Sequence, residues 1–222
     1  MTRLALLCSP LLGPSVWRPV ADALRDLGES TLVAGVVGRV EQSADVVRGL
    51  LDELPEGEPL VLIPHSNAGL YVAALAVERD VGGVVFVDAG LPADRATTPT
   101  APAGFRDHLA GLADPDGLLP PWTRWWPDVD DLFPDTVTRQ RVESEQRRLP
   151  IGYFDGVVPS PTEWQQLPAA YLAFGESYAE ERDEAQRRGW PVETLTGDHL
   201  HMLVDPPGVA AAVVRLANRL GR

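Results

Sequence analysis

The sequence predicts an α/β protein whose sheet is mostly or wholly parallel, doubly wound and of about six strands, with a small helical insertion. Three observations predict it. Short apolar runs of strand length alternate with segments of helical apolar spacing. Three such strand-helix units follow one another before any break, the pattern of a parallel sheet with helices on both faces. The rhythm then lapses from Leu91 to about Gln166 and returns afterwards, so a core of residues 1–90 and 167–222 is expected around an insertion of residues 91–166.

Leu4 to Leu7 reads as the first buried strand, ended by the turn-rich Ser9-Pro10-Leu11-Leu12-Gly13-Pro14. Val16, Val20, Leu24 and Leu27 recur at helical spacing and Gly28 closes that helix. Thr31 to Val37 is a second strand, and Val40, Ala44, Val47, Leu51 and Leu54 lie on one face of the next helix. Leu60 to Ile63 is a third strand, Leu70 to Val77 a helix, and Val84 to Val87, introduced by Gly82-Gly83, a fourth strand ending at Asp88. Beyond the insertion, Ala169 to Phe174 and Val192 to Leu195 read as strands and Tyr178 to Arg188 as a polar helix. The last helix carries Val209, Val213, Leu216 and Leu220.

The insertion is proline-rich and holds Trp122, Trp125, Trp126 and Trp164 with Phe105, Phe133, Tyr153 and Phe154. A structureless loop of that length is implausible in a compact domain, so a small helical unit is expected, with its clearest helix at Asp135 to Arg148. Its aromatic residues suit a core of its own, and Trp126 is one that could line a pocket, because an insertion between sheet strands lies where the ligand crevice forms. The acidic group Asp128, Asp130, Asp131 and Asp135 reads as a solvated face.

Composition limits the chemistry. The 222 residues carry 19 basic and 32 acidic side chains, a net charge of −13, and the basic ones are all arginine. Without lysine there is no Schiff-base, pyridoxal-phosphate or P-loop lysine. The acidic balance argues against nucleic acid and anionic membranes as partners. The single cysteine, Cys8, forms no internal disulfide and fits a reducing compartment; its surroundings read as those of a small buried residue. The apolar run at the start is too short for a signal peptide, and no stretch nears the roughly 20 residues of a membrane span. A cytoplasmic protein acting on a small molecule, without a cofactor, is expected. Its oligomeric state is not legible.

The candidate site centres on residues 59–69, Pro-Leu-Val-Leu-Ile-Pro-His-Ser-Asn-Ala-Gly. A serine at a sharp strand-to-helix turn is lifted above a sheet edge as a nucleophile elbow. The usual pattern is Gly-x-Ser-x-Gly; around Ser66 the flanks are Pro64 and Ala68, with Gly69 one place later. Such a serine also serves as a helix N-cap. As a nucleophile it needs a base, and of the four histidines His199 and His201 follow the last strand, while His65 adjoins the serine and His108 lies in the insertion. Histidine is the side-chain type suited to general-base work at neutral pH, so either of the pair is a candidate. His199 and His201 as a metal pair would lack further ligands nearby in sequence, so no metal site is expected.

The order of these parts resembles the α/β-hydrolase superfamily. The turn after the first strand, the serine elbow, the strand ending Val-Phe-Val-Asp-Ala-Gly-Leu-Pro, the insertion and Gly-Asp-His-Leu-His-Met-Leu-Val-Asp-Pro carry the likeness over nearly the whole chain. The nearest look is to the branch of plant hydroxynitrile lyases and small methyl esterases, whose last motif is Gly-x-Asp-His-x-x-Met. On that match His199 is the catalytic histidine and His201 a neighbour of the site. The resemblance implies an oxyanion hole from the N–H of Asn67 and of the residue after the first turn's His-Gly pair.

Three departures stand out. The triad acid is expected about three residues past a glycine following the post-insertion strand, yet Gly175 is followed by Glu176, Ser177 and Tyr178. Glu176 or, from the end of the preceding strand, Asp88 would then supply the acid. The His-Gly pair reads Cys8-Ser9 and the next residue, Pro10, has no N–H, so Leu11 or the Ser9 hydroxyl would have to substitute. The family's two leading antiparallel strands have no counterpart, so a six-stranded, all-parallel sheet is expected. Three functions fit: a serine hydrolase for a small apolar or aromatic ester, thioester or lactone; a lyase, isomerase or cyclase using Ser66 and His199 as an acid-base pair; and a non-catalytic binding protein.

Overall fold

A computed structural model of the protein describes residues 2–221. Six strands form one sheet: β1 (Arg3–Leu7), β2 (Thr31–Ala34), β3 (Leu60–Ser66), β4 (Val81–Ala89), β7 (Ala169–Phe174) and β8 (Val192–Leu195). Their order is β2-β1-β3-β4-β7-β8 and every pairing is parallel. This is the expected doubly wound sheet. β3 and β7 are buried along their whole length, as a central parallel strand with helices on both faces must be.

The chain leaves β1 toward one edge and returns to β3 on the other side, so the order reverses between them. Right-handed crossovers in opposite directions put α1 (Arg18–Asp26) on one face and α2 (Ser43–Glu53) and α3 (Val72–Ala76) on the other. The long final helix α8 (Pro206–Arg219), reached through the single turn α7 (His201–Val204), packs against α1. α6 (Ala179–Arg187) connects β7 to β8. Reversal of strand order opens a crevice at the C-terminal ends of β1 and β3.

Several elements differ in extent from the sequence expectation. β3 runs through Pro64 to Ser66, and β4 includes Gly82 and Gly83. Where a helix was expected from Leu70, a 3-10 turn at Asn67–Tyr71 precedes the short α3. β2 stops at Ala34, three residues early.

The insertion is less helical than expected. It holds α4 (Ala103–Ala110) and α5 (Thr136–Glu145), joined by 3-10 turns that its prolines favour over longer helices. A short antiparallel pair, β5 (Thr97–Pro99) with β6 (Val157–Pro159), ties its two ends together. α5 is capped by Asp135, whose side chain accepts the Thr138 N–H at 2.7 Å. It ends at Glu145 rather than Arg148 because the next side chains have tertiary partners: Gln146 accepts from Thr123, and Arg148 donates to the Leu119 carbonyl. Glu145 docks the insertion on the loop after β1, accepting from the Ser15 N–H at 2.7 Å and the Ser15 hydroxyl at 2.8 Å. Among the described residues no helix is long and apolar enough to cross a membrane.

Candidate active site

Ser66 ends β3 with φ 58° and ψ −132°, left-handed backbone that a serine rarely adopts. Strain of this kind costs about 1–3 kcal/mol and persists only where neighbours hold it. Two contacts hold it here. The Gly90 N–H donates to the Ser66 carbonyl at 3.1 Å, and Gly69 lets the following turn press against the end of β4, where any Cβ would collide with the Gly90 carbonyl. Gly69 thus has the steric role that the usual pattern gives to the residue before it.

The raised hydroxyl meets a relay. His199 Nε2 lies 3.0 Å from Ser66 Oγ, and His199 Nδ1 lies 2.6 Å from Asp88 Oδ2. Asp88, next to last in the adjacent strand β4, is also at positive φ (41°) and is 1% exposed. Its other oxygen accepts the Phe174 N–H at 3.1 Å, so a neighbouring strand's backbone fixes the carboxylate plane. A carboxylate at Nδ1 holds the proton there and leaves Nε2 free to accept the serine proton.

His199 is oriented from below by His65. The two rings stack with centroids 4.5 Å apart, and His65 Nε2–H donates to the His199 carbonyl at 2.9 Å. His65 is fully buried, and burial, reinforced by the facing His199, pushes its pKa well below the usual imidazole range. It takes no part in lining the cleft and is a neutral support.

The structure separates the two carboxylates that the sequence left open. Asp88 is in contact with His199, whereas Glu176 is exposed and pairs with Arg182 at 3.1 Å. Tyr178, which stands where the resemblance expects an acid, brings its hydroxyl within 3.3 Å of Ser66 Oγ. Burial holds its pKa above the phenol range, with the charges of Glu181 and Asp88 acting in the same direction. Sequence reasoning noted this tyrosine only as a departure; its position three residues past Gly175 was the one available signal.

On the oxyanion side, Asn67 begins the turn after Ser66, and its side chain is held away from the serine. Asn67 Nδ2 donates to the Thr100 carbonyl at 3.2 Å and its Oδ1 accepts from the Tyr153 hydroxyl at 2.7 Å. Its N–H, first in the turn, has no partner within that turn. Opposite lies the loop after β1. Ser9, Pro10 and Leu12 are buried, Leu11 lines the cleft, and the Leu11 N–H donates to Ser9 Oγ at 3.3 Å. Cys8 is buried and its thiol is pushed far above its ordinary pKa by that burial.

His201 does not join the site. Its ring packs on Phe174 with centroids 5.5 Å apart, and a Cβ on Gly197 would strike it. Among the described residues no group of three or more His, Cys, Asp or Glu side chains is placed to hold a metal ion. Above Ser66 lies a cleft of about 1530 Å³, walled by Leu70, Phe105, Trp122, Trp125 and Phe154. Trp126 also lines it, stacked between Phe105 and His108 with both centroid separations 5.9 Å and 39% of its surface exposed.

No family model matches the chain, and no curated protein matches it in sequence. Solved structures do match over its whole length. An extracellular α/β-hydrolase from a Paenibacillus species, described as sharing structural and functional homology with tobacco salicylic acid binding protein 2, superposes with a TM-score of 0.74 at 17% identity, covering 97% of this chain and 99% of its own. The chain has the α/β-hydrolase fold. A tomato methylketone synthase I variant complexed with β-ketoheptanoate matches this α/β-hydrolase-fold chain with a TM-score of 0.76 at 15% identity, over 99% and 98% of the two chains. A methylesterase from Arabidopsis matches at 0.68 and 14% identity, over 98% and 99%.

Proposed function

We propose that this α/β-hydrolase-fold protein is a serine hydrolase acting on a small, uncharged ester, thioester or lactone with an apolar or aromatic acyl group. The observation that carries the reading is the unbroken relay from Ser66 Oγ through His199 to Asp88, placed at the C-terminal edge of the parallel sheet beneath an aromatic cleft. Ser66 attacks the carbonyl carbon as His199 Nε2 takes its proton, and Asp88 stabilises the imidazolium so formed. The Asn67 N–H faces the oxygen on which charge develops. His199 then protonates the leaving group, and water repeats the sequence on the acyl-enzyme. An extracellular α/β-hydrolase and a methylesterase among the structures of like fold are consistent with this reading.

A second reading, a lyase, isomerase or cyclase in which Ser66 and His199 move a proton on a bound carbonyl compound, is favoured by Pro10. Proton transfer asks less of an oxyanion hole than a tetrahedral intermediate does. One experiment separates the two: incubation with a fluorophosphonate probe, read by intact mass beside Ser66→Ala. Hydrolysis requires an adduct on the parent that the variant lacks. A folded parent without adduct overturns the acyl-enzyme and leaves the second reading.

A further inference from the structure

An acyl transfer site of this fold draws its second oxyanion donor from the loop after the first parallel strand, beside the N–H that follows the nucleophile. That loop is deficient here. Pro10 has no N–H, and the Leu11 N–H donates to the Ser9 hydroxyl at 3.3 Å. The site as it stands has one backbone donor, at Asn67.

A different donor reaches the nucleophile itself. Tyr178 leads into α6 from the turn after β7, and among the described residues its hydroxyl's one hydrogen-bond partner is Ser66 Oγ, at 3.3 Å. The proton assignments follow from the relay. Asp88 accepts the His199 Nδ1–H, so Nε2 is bare and takes the serine proton. Ser66 Oγ then has only lone pairs to offer, and Tyr178 must be the donor. Its phenol keeps that proton, because burial and the neighbouring carboxylates oppose the phenolate. The ring is braced against the His199 imidazole, with centroids 5.5 Å apart.

We propose that the Tyr178 hydroxyl is a catalytic hydrogen-bond donor of this site, serving the oxyanion in place of the N–H that Pro10 removes. The inference rests on the serine-hydrolase reading. As the Ser66 Oγ–carbon bond forms, the serine proton passes to His199 Nε2 and the carbonyl π pair moves onto its oxygen. That oxygen and Oγ share one carbon and lie within a hydrogen bond's length of each other. The Tyr178 O–H swings from Oγ to the oxyanion without giving up its proton. When the intermediate collapses, the carbonyl reforms, the bond to the leaving group breaks and the leaving oxygen takes the proton from His199.

The test is Tyr178→Phe, which removes one oxygen and keeps the ring, assayed by turnover of 4-nitrophenyl butyrate and by fluorophosphonate labelling, with the melting temperature measured alongside. Removal of one oxyanion donor costs about 100-fold to 1,000-fold in kcat in a well-studied protease. A fall in kcat of at least tenfold, with KM within threefold of the parent and the melting temperature unchanged, is the expected result. A merely structural tyrosine would move stability or KM instead. Turnover within twofold of the parent, in a protein whose parent is labelled at Ser66, overturns the inference and leaves the serine-hydrolase reading standing. A parent that neither labels nor turns over the ester overturns that reading, and the inference with it.

Discussion

Replacing Asp88 by Asn tests the relay more severely than removing the carboxylate would, because the neighbours dictate how the amide must sit. Asp88 Oδ1 accepts the Phe174 N–H at 3.1 Å and Oδ2 faces His199 Nδ1 at 2.6 Å. An asparagine can satisfy Phe174 only with its carbonyl oxygen, which turns its NH2 group toward Nδ1. The imidazole must then accept at Nδ1 and carry its proton on Nε2, facing Ser66, so it can no longer take the serine proton. The charge is lost as well. Two unit charges about 4 Å apart attract by about 4 kcal/mol at an effective dielectric of about 20, which is about 1,000-fold in rate. The tautomer penalty adds to this, and the same substitution in a well-studied protease costs about 10,000-fold in kcat. The expected loss is therefore about 1,000-fold to 10,000-fold in kcat for an activated ester, measured at pH 7 beside Glu176→Gln, which should stay within twofold. An Asp88→Asn enzyme within tenfold of the parent, or a Glu176→Gln enzyme that loses activity instead, would refute the relay as drawn.

Other consequences are equally accessible. Gly69→Ala forces a Cβ into the Gly90 carbonyl, and overpacking of this kind typically costs about 1–3 kcal/mol; for a domain of this size each kcal/mol lowers the melting temperature by about 2–4 °C, measurable by calorimetry. His65 is held neutral, so below about pH 6.5 the unfolded chain binds one more proton than the folded one, and stability must fall as pH falls from there, by up to about 1.4 kcal/mol per pH unit. His65→Gln should flatten that slope by about one proton in urea titrations between pH 5 and 7, and an unchanged slope would sink the assignment. The cleft wall carries Asp128, Glu176, Glu180, Glu181 and Asp198 against Arg95. Neutral esters should accordingly exceed carboxylate-bearing analogues in kcat/KM by at least tenfold at low ionic strength, with the gap narrowing in about 0.5 M salt.

What the sequence discloses of this molecule depends on the range of the interaction involved. The strands were legible because runs such as Leu60 to Ile63 and Ala169 to Phe174 declare full burial by themselves, and the parallel order follows from their alternation with helices. Ser66 and His199 were legible because a strand-end serine and a histidine after the last strand are tied to the sheet's own geometry. The insertion resisted. Its β5–β6 pair joins residues about sixty apart with no alternating pattern to announce it, and α5 stops at Glu145 because Gln146, Arg147 and Arg148 find partners elsewhere in the fold. The choice between Glu176 and Asp88 could not be made from sequence either, since both lie at strand ends and only the His199 contact of the one and the Arg182 pairing of the other tell them apart.

The departure at the acid position has its physical origin in the placement of Asp88. A carboxylate at the end of β4 reaches His199 Nδ1 from the strand next to the serine's own, so the turn after β7 has no need to supply one. That turn is then free to present a neutral residue, and an acid there would be costly: a second carboxylate close to Asp88 and partly buried would be driven to protonate by like-charge repulsion and desolvation. The charges that raise the Tyr178 pKa are the same ones that would oppose an ionised acid in its place. Tyrosine meets both conditions, since it carries no charge and brings a donor to the serine's open side. A Tyr178→Asp enzyme should therefore not regain a conventional relay. It should lose activity and bind an extra proton near neutrality, and full activity in that variant, with Asp88→Asn now tolerated, would show that the acid's position is interchangeable and the argument wrong.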